Sequence, residues 1–136
     1  MQPNPARHPT ILLVTGDDLL RHALALRLHA LGHPVVNARD AQGARLAWEQ
    51  SGSTIDLLLT DVLLPGMGGP VLARKLTARA PRTGVIFLSA HRGEVLIAQG
   101  VLPPNALCLS KRHPPELLAG AIHRALVPPK RRRRVA

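Results

Sequence analysis

The 136 residues of this chain carry a formal net charge of +10, with 46% hydrophobic and 1% aromatic residues. This length and apolar content suit one globular domain with its own core, and the scarcity of aromatic rings argues against a protein that stacks single-stranded bases. The single cysteine, Cys108, excludes an internal disulfide and is typical of a reducing compartment. No apolar run approaches the roughly 18 to 20 residues of a membrane span, so we expect a cytoplasmic protein.

The chain is predicted to begin and end in polar segments. Residues 1–10 are polar and rich in proline, which predicts a flexible N-terminal segment. At the other end, the run Lys130–Arg134 holds five of the eighteen Lys and Arg residues. Such a run cannot bury apolar surface, so residues 128–136 are predicted to form a basic disordered tail. We expect this tail to contact polyanions nonspecifically through its charge.

Between these segments, short apolar runs alternate with segments of helical period. This alternation is typical of βα units that build a parallel sheet. Five runs are predicted strands: Ile11–Val14, Val35–Ala38, Ile55–Thr60, Val85–Leu88 and Ala106–Leu109. Five segments are predicted helices: Leu19–Leu31, Ala41–Gln50, Val71–Ala80, a short one within Arg92–Gln99, and Glu116–Leu126. The pattern predicts an α/β fold with a single open, doubly wound (βα)5 domain.

Residues with special backbone preferences mark the helix ends. The first helix is predicted to stop at Gly32-His33-Pro34, since glycine accepts a left-handed conformation and proline cannot continue a helix. Asp40 is suited to capping the second helix. Asp18 could equally cap the first helix or bind a metal. The two prolines in Leu102–Asn105 predict a long, rigid loop before the last strand.

Polar residues follow several of the predicted strands. Asp61 follows the third strand, Ser89 the fourth and Lys111 the fifth. In a doubly wound sheet, ligands bind at the carboxyl ends of the strands, so these side chains are expected to converge. With Asp61 as a nucleophile toward a phosphoryl donor, Lys111 can pair with the added charge and Ser89 can donate a hydrogen bond. The simpler interpretation is that Asp61 accepts backbone N–H groups in a turn.

The segment Ile55–Gly69, which contains Asp61, resembles the phosphoacceptor strand and loop of response-regulator receiver domains, which have the chemotaxis-type fold. Ser89 and Lys111 fall on the Ser/Thr and Lys positions of that family. Three loop residues also match: Pro65, Met67 and Gly69. The resemblance covers residues 11–127 and implies a parallel five-stranded sheet of order 2-1-3-4-5.

The resemblance implies a stand-alone receiver in two-component, or phosphorelay, signal transduction rather than an enzyme. Asp61 would accept a phosphoryl group from a histidine kinase or a histidine phosphotransfer protein. Residues 128–136 are too few to form an effector domain. Output is therefore expected through a partner protein, through a homodimer or through the basic tail.

The metal site of the family is not matched. Receivers usually hold Mg²⁺ with an acidic pair after the first strand, the phosphoacceptor carboxylate and a backbone carbonyl, which here would belong to Leu63. Without a gap, the acidic pair falls on Thr15 and Gly16. The remaining expected ligands are Asp17, Asp61 and the Leu63 carbonyl, and Mg²⁺ binding is expected to be weak or absent because Mg²⁺ is usually bound through carboxylates.

Cys108 falls where the family usually carries an aromatic switch residue. A thiol cannot replace a rotating ring, which weakens the expected link from Ser89 to the surface of the domain. Cys108 itself is predicted to be a buried strand residue rather than a redox centre. These departures support an alternative hypothesis, a degenerate receiver that binds proteins independently of phosphorylation. A flavin-binding relative of this fold is disfavoured because the loop after the first strand lacks aromatic flanks.

Overall fold

The computed structural model describes residues 8–51 and 54–126. Five strands and five helices alternate along this part of the chain, which confirms the predicted fold class. The strands are β1 (Ile11–Val14), β2 (Val35–Ala38), β3 (Leu57–Asp61), β4 (Gly84–Ser89) and β5 (Leu107–Ser110). The helices are α1 (Asp18–Ala30), α2 (Ala41–Ser51), α3 (Gly69–Arg79), α4 (Gly93–Ala98) and α5 (Pro115–Leu126). The predicted tail and most of the predicted N-terminal segment lie outside the described residues.

The strands form one parallel sheet in the order β2-β1-β3-β4-β5, as predicted. The chain moves from β1 to one edge of the sheet and then returns past β1 toward the other edge. This reversal opens a crevice at the carboxyl ends of β1 and β3, where doubly wound folds bind ligands. In the register of the sheet, Val14 pairs with Thr60, and Asp61 pairs with Leu88.

Side chains of the central strands alternate between two apolar layers, because successive residues of a strand point to opposite faces. Ile11 and Leu13 belong to the cluster that also contains buried residues of α1 and α5. Leu12 and Val14 belong to the cluster with buried residues of α2, α3 and α4. Each fully buried aliphatic side chain contributes about 1.5–3 kcal/mol, so the central strands provide a rigid base for the residues that follow them.

Several predicted boundaries shift by one or two residues. β3 begins at Leu57 instead of Ile55 and includes Asp61, because the pairing with β4 continues to this residue. The predicted end of α1 is confirmed, with Gly32 at a φ of 93°. The predicted cap of α2 is also confirmed, since the Gly43 N–H donates to Asp40 Oδ1 at 2.7 Å.

The helix α4 is much shorter than the others, with 6 residues against 11 to 13 in the remaining helices. It is followed by a long connection that includes Gly100, with a φ of 77°, and the exposed pair Pro103-Pro104. No helix within the described residues is long and apolar enough to cross a membrane.

Candidate functional site

Asp61 is the last residue of β3 and is only 3% exposed. The Thr15 hydroxyl donates to its Oδ2 atom at 2.8 Å, and the Gly16 N–H donates to the same atom at 3.3 Å. The Lys111 ammonium lies 3.5 Å from Oδ1. A buried carboxylate is costly unless it is paired and hydrogen-bonded, so these three partners stabilise the charge inside the crevice.

The ends of β4 and β5 place the other two predicted site residues. The Lys111 N–H donates to the Ser89 carbonyl at 2.9 Å, which fixes the backbone of Lys111 next to the end of β4. Ser89 is buried, and its hydroxyl oxygen accepts the His91 N–H at 2.8 Å. The structure therefore brings Lys111 into direct contact with Asp61 and places Ser89 at the same edge of the sheet, held by the turn that follows β4.

The hydrogen bonds around Thr15 determine the direction in which its hydroxyl donates. The Asp17 N–H donates to Thr15 Oγ1 at 3.2 Å. The single proton of the hydroxyl is therefore available for Asp61. Thr15 is fully buried, and its carbonyl accepts a hydrogen bond from Arg21 Nη1 at 2.8 Å. Both its side chain and its backbone are thus held in place.

Arg21 is a residue of this site that sequence reasoning missed. Its Nη2 atom lies 2.6 Å from Asp18 Oδ1, so the guanidinium links the first turn of α1 to the Thr15 carbonyl. The hydrogen bond from Arg21, and then its charge, hold the pKa of Asp18 below its ordinary value. The i, i+3 spacing of Asp18 and Arg21 could have predicted their ion pair. The hydrogen bond to the Thr15 carbonyl could not be predicted, because a bond to a backbone carbonyl does not depend on the identity of the accepting residue.

Asp17 caps the N-terminus of α1. Its Oδ1 atom accepts the Leu20 N–H at 3.0 Å, and its backbone is extended, with a φ of −85° and a ψ of 107°. Asp18 is the first residue of the helix and not its cap, so the cap role suggested for Asp18 is wrong. Such a cap stabilises by about 0.5–2 kcal/mol, a contribution that Asp17 would lose on turning toward a metal.

The donor atoms near Asp61 do not fit a tightly bound Mg²⁺ ion. Mg²⁺ requires near-octahedral oxygen ligands at about 2.0–2.1 Å and is usually held through carboxylates. Within the described ranges, no group of three His, Cys, Asp or Glu residues could hold a metal. Asp61 Oδ2 already accepts two hydrogen bonds. Leu63 follows in the next loop, where its side chain is 78% exposed.

Cys108 is half-buried on β5, beneath the first residue of α4. A Cβ atom added to Gly93 would lie 2.9 Å from Cys108 Cβ, so helix and strand are in close contact at this point. Burial, and to a lesser degree the charge of Glu94, raises the pKa of the thiol. A raised pKa disfavours the reactive thiolate. Cys108 was predicted to be a buried strand residue; it does lie on β5, but it is only half-buried.

Comparison with known proteins agrees with the fold. The sequence model of the family described as "Response regulator receiver domain" matches residues 11–123. The transcriptional regulatory protein AfsQ1 of Streptomyces coelicolor is 34% identical over 94 residues, which cover 68% of this chain and 40% of that protein. The first three curated relatives are matched over only 9% to 40% of their length.

Solved structures give the same result. The receiver domain of the hybrid histidine kinase CckA superposes with a TM-score of 0.72 at 30% identity, over 87% of this chain and 99% of that one. A CheX–CheY–BeF3–Mg complex from Borrelia burgdorferi has a TM-score of 0.74 over 88% of this chain and 90% of that one, and at 17% identity it shows the fold alone. This chain belongs to the response regulator receiver domain family.

Proposed function

We propose that this chain is a receiver in two-component signal transduction that accepts a phosphoryl group on Asp61 from a histidine kinase or a histidine phosphotransfer protein. Receiver domains are generally signalling modules rather than enzymes. The observation that carries the proposal is the ion pair of Asp61 with Lys111 at the carboxyl edge of the sheet. An ammonium at this distance can pair with the charge that a phosphoryl group adds.

The two oxygens of Asp61 have different environments, which suggests how the reaction would proceed. Oδ2 accepts the Thr15 and Gly16 hydrogen bonds, whereas Oδ1 has no hydrogen-bond partner in the described part of the chain and faces Lys111. Oδ1 would be the attacking atom once Lys111 moves aside, because it is free of hydrogen bonds but enclosed in this structure. It would attack phosphorus as the N–P bond of the donor breaks, and the imidazole would leave with the electron pair and take a proton from water.

We propose that Mg²⁺ binding is weak or absent in this chain, although receiver domains generally bind Mg²⁺ at an acidic site. Of the three expected ligands, Asp61 already accepts two hydrogen bonds, Asp17 caps α1, and Leu63 offers only its carbonyl. If the transition state loses about 4 kcal/mol of stabilisation by the charge of the metal, phosphoryl transfer slows roughly a thousandfold, because each factor of ten corresponds to about 1.4 kcal/mol.

A second candidate function is phosphorylation-independent protein binding, and the Thr15–Asp61 hydrogen bond favours it. This bond engages the carboxylate through a group of the chain itself, so the fold has a defined state without phosphoryl or metal. In either function we propose a cytoplasmic domain whose output passes through a partner protein, a homodimer or the basic tail.

Phosphorylation should label wild-type protein and fail completely in Asp61→Asn, because the amide cannot act as the nucleophile. The protein would be incubated with acetyl phosphate or a phosphorylated histidine phosphotransfer protein, with MgCl2 or EDTA, and the acid-labile adduct measured by intact mass. EDTA is expected to change the yield little.

Asp17→Asn is the matched control, since asparagine also caps helices. This variant should leave the yield of the phosphorylated adduct unchanged. If the wild type gains no adduct from either donor, the phosphoacceptor function is wrong and protein binding remains. A yield that Asp17→Asn abolishes would show that Asp17 binds a metal after all.

The predicted tail Lys130–Arg134, which lies outside the described residues, is expected to dominate binding to polyanions. Deleting residues 130–136 removes five cations and should lower the salt concentration at which the protein elutes from heparin, because each neutralised anion contributes to the salt dependence. Replacing Arg45 and Lys75, two exposed cations of the folded domain, by alanine should shift elution less. Unchanged elution after the deletion contradicts the prediction.

A further inference from the structure

A groove of about 1160 Å³ lies between α3 and the connection from α4 to β5; we call it the α3–β5 groove. Val85 and Phe87 of β4 line it from the sheet, and the turn Leu102–Asn105 lines it from the side. The helix α4, which ends after 6 residues, contributes only Ile97 to the lining of the groove. None of its lining residues belongs to the site around Asp61.

The charges that line the α3–β5 groove have one sign. Arg74 of α3 and His123 and Arg124 of α5 lie along it, and all three are exposed. Among the described residues that line it, there is no Asp or Glu. The remaining lining is largely apolar, and the hydroxyl of Thr77 already donates to the Ala73 carbonyl at 2.8 Å. The groove therefore combines an apolar wall with the two positive charges of Arg74 and Arg124.

The size of the α3–β5 groove suits a helix better than a small molecule. Its lining on α3 runs from Pro70 to Thr77, which is about 10 Å along the axis at 1.5 Å per residue. Small-molecule sites usually have volumes of about 300–1,000 Å³. An amphipathic helix inserts its apolar face into such grooves through side chains at i, i+3, i+4 and i+7.

We propose that the α3–β5 groove binds an acidic amphipathic helix of a partner protein. Its apolar side chains contact the partly exposed Val85 and the exposed Pro103, and its carboxylates pair with Arg74 and Arg124. The chain's own tail is a poor occupant, because Lys130–Arg134 carries the same sign of charge as the groove. This binding does not use Asp61, so it extends beyond the phosphoacceptor function and can be tested separately.

The test is an NMR titration of the ¹⁵N-labelled full chain with a designed peptide of about 18 residues, a length of about 27 Å as a helix. The peptide carries Leu on one face and Glu along its border. We expect backbone amide shifts confined to the residues that line the groove on α3, on β4, in the connection before β5 and at the C-terminal end of α5. A second peptide keeps every Glu but replaces Leu by Ser, and it should not bind, which separates groove binding from general attraction to a basic protein.

Charge reversal provides the matched control on the protein. Arg74→Glu/Arg124→Glu is expected to lower the affinity for the Leu/Glu peptide at least about tenfold, equivalent to about 1.4 kcal/mol. Lys75→Glu/Arg82→Glu changes the net charge equally, but both residues are exposed and lie outside the groove, so it should change the affinity less than about twofold.

Four results would overturn the proposal. The first is that both double variants weaken the binding of the Leu/Glu peptide equally. The second is that the Ser peptide binds as tightly as the Leu/Glu peptide. The third is tighter peptide binding after deletion of residues 127–136, which would identify the tail as the occupant. The fourth is a dimer, seen by sedimentation without peptide, that Arg74→Glu/Arg124→Glu dissociates, which would identify a second copy as the occupant.

Discussion

The double variant Thr15→Asp/Gly16→Asp is expected to bind Mg²⁺ where the wild-type protein binds it weakly or not at all. The change places two carboxylates beside Asp61, and several carboxylate oxygens make a site that Mg²⁺ favours. There is room for the second one, since a Cβ atom added to Gly16 meets only the Arg39 carbonyl, at 3.6 Å.

The same change should make the folded state depend on the metal. Without Mg²⁺ the variant loses the Thr15 hydrogen bond and buries like charges side by side, which is expected to lower the free energy of unfolding by about 3 kcal/mol or more. A ligand that binds only the native state returns about 2.7 kcal/mol at a concentration of 100 Kd. Urea unfolding with MgCl2 and with EDTA measures both effects, and calorimetry measures the affinity.

Thr15→Ser is the control for this pair of substitutions. Serine keeps the hydroxyl that donates to Asp61, so this variant should behave as the wild type does and show no Mg²⁺-dependent stability. If the wild type and Thr15→Ser gain as much stability from MgCl2 as the double variant, then Asp61 and its neighbours already form a metal site, and the hydrogen-bonded arrangement is wrong.

The variant Gly69→Ala is expected to be the most damaging substitution of a single small residue. An added Cβ atom would lie 2.0 Å from the Asp61 carbonyl oxygen and 3.0 Å from its carbonyl carbon. Both are backbone atoms of β3, so either the start of α3 or the end of the strand must move. We expect the free energy of unfolding to fall by about 3 kcal/mol, at the upper end of the range for overpacking.

Gly120→Ala is the matched control because it lies within α5, where an added Cβ atom meets only Arg124 Nη1, at 3.8 Å. Alanine in a helix interior is expected to raise the free energy of unfolding by about 0.5–1 kcal/mol. The two substitutions should therefore shift the urea midpoint in opposite directions. A shift of the same sign and size in both would show that the contact between Gly69 and Asp61 is not as tight as described.

The sequence was sufficient to predict the elements of the fold because the two periods, near 2 for strands and 3.6 for helices, are easily distinguished. It was less informative about their ends. Asp61 belongs to β3 because Leu88 pairs with it, and a long-range pairing of this kind cannot be read from local pattern. Asp17 and Asp18 are equally good capping residues, and the extended backbone of Asp17 decides between them.

The residues of the candidate site could be predicted from the sequence better than the hydrogen bonds between them. Asp61 and Ser89 end β3 and β4, Lys111 follows β5, and the structure brings all three to one edge. The hydrogen bond from Thr15 to Asp61 depends on the Asp17 N–H, which determines the direction of the hydroxyl proton. The α3–β5 groove was not predicted either, since it depends on where the loop after α4 lies and not on its composition.

The bond between Thr15 and Asp61 also separates this site from the ionic conditions around the protein. A metal ion occupies a site according to its free concentration, so a chelator or a change in cellular Mg²⁺ alters the fraction of molecules that hold it. The Thr15 hydroxyl is covalently part of the chain, and it lies 2.8 Å from the carboxylate as soon as β1 and β3 are paired. The resting geometry of Asp61 is therefore established at folding and requires no second component.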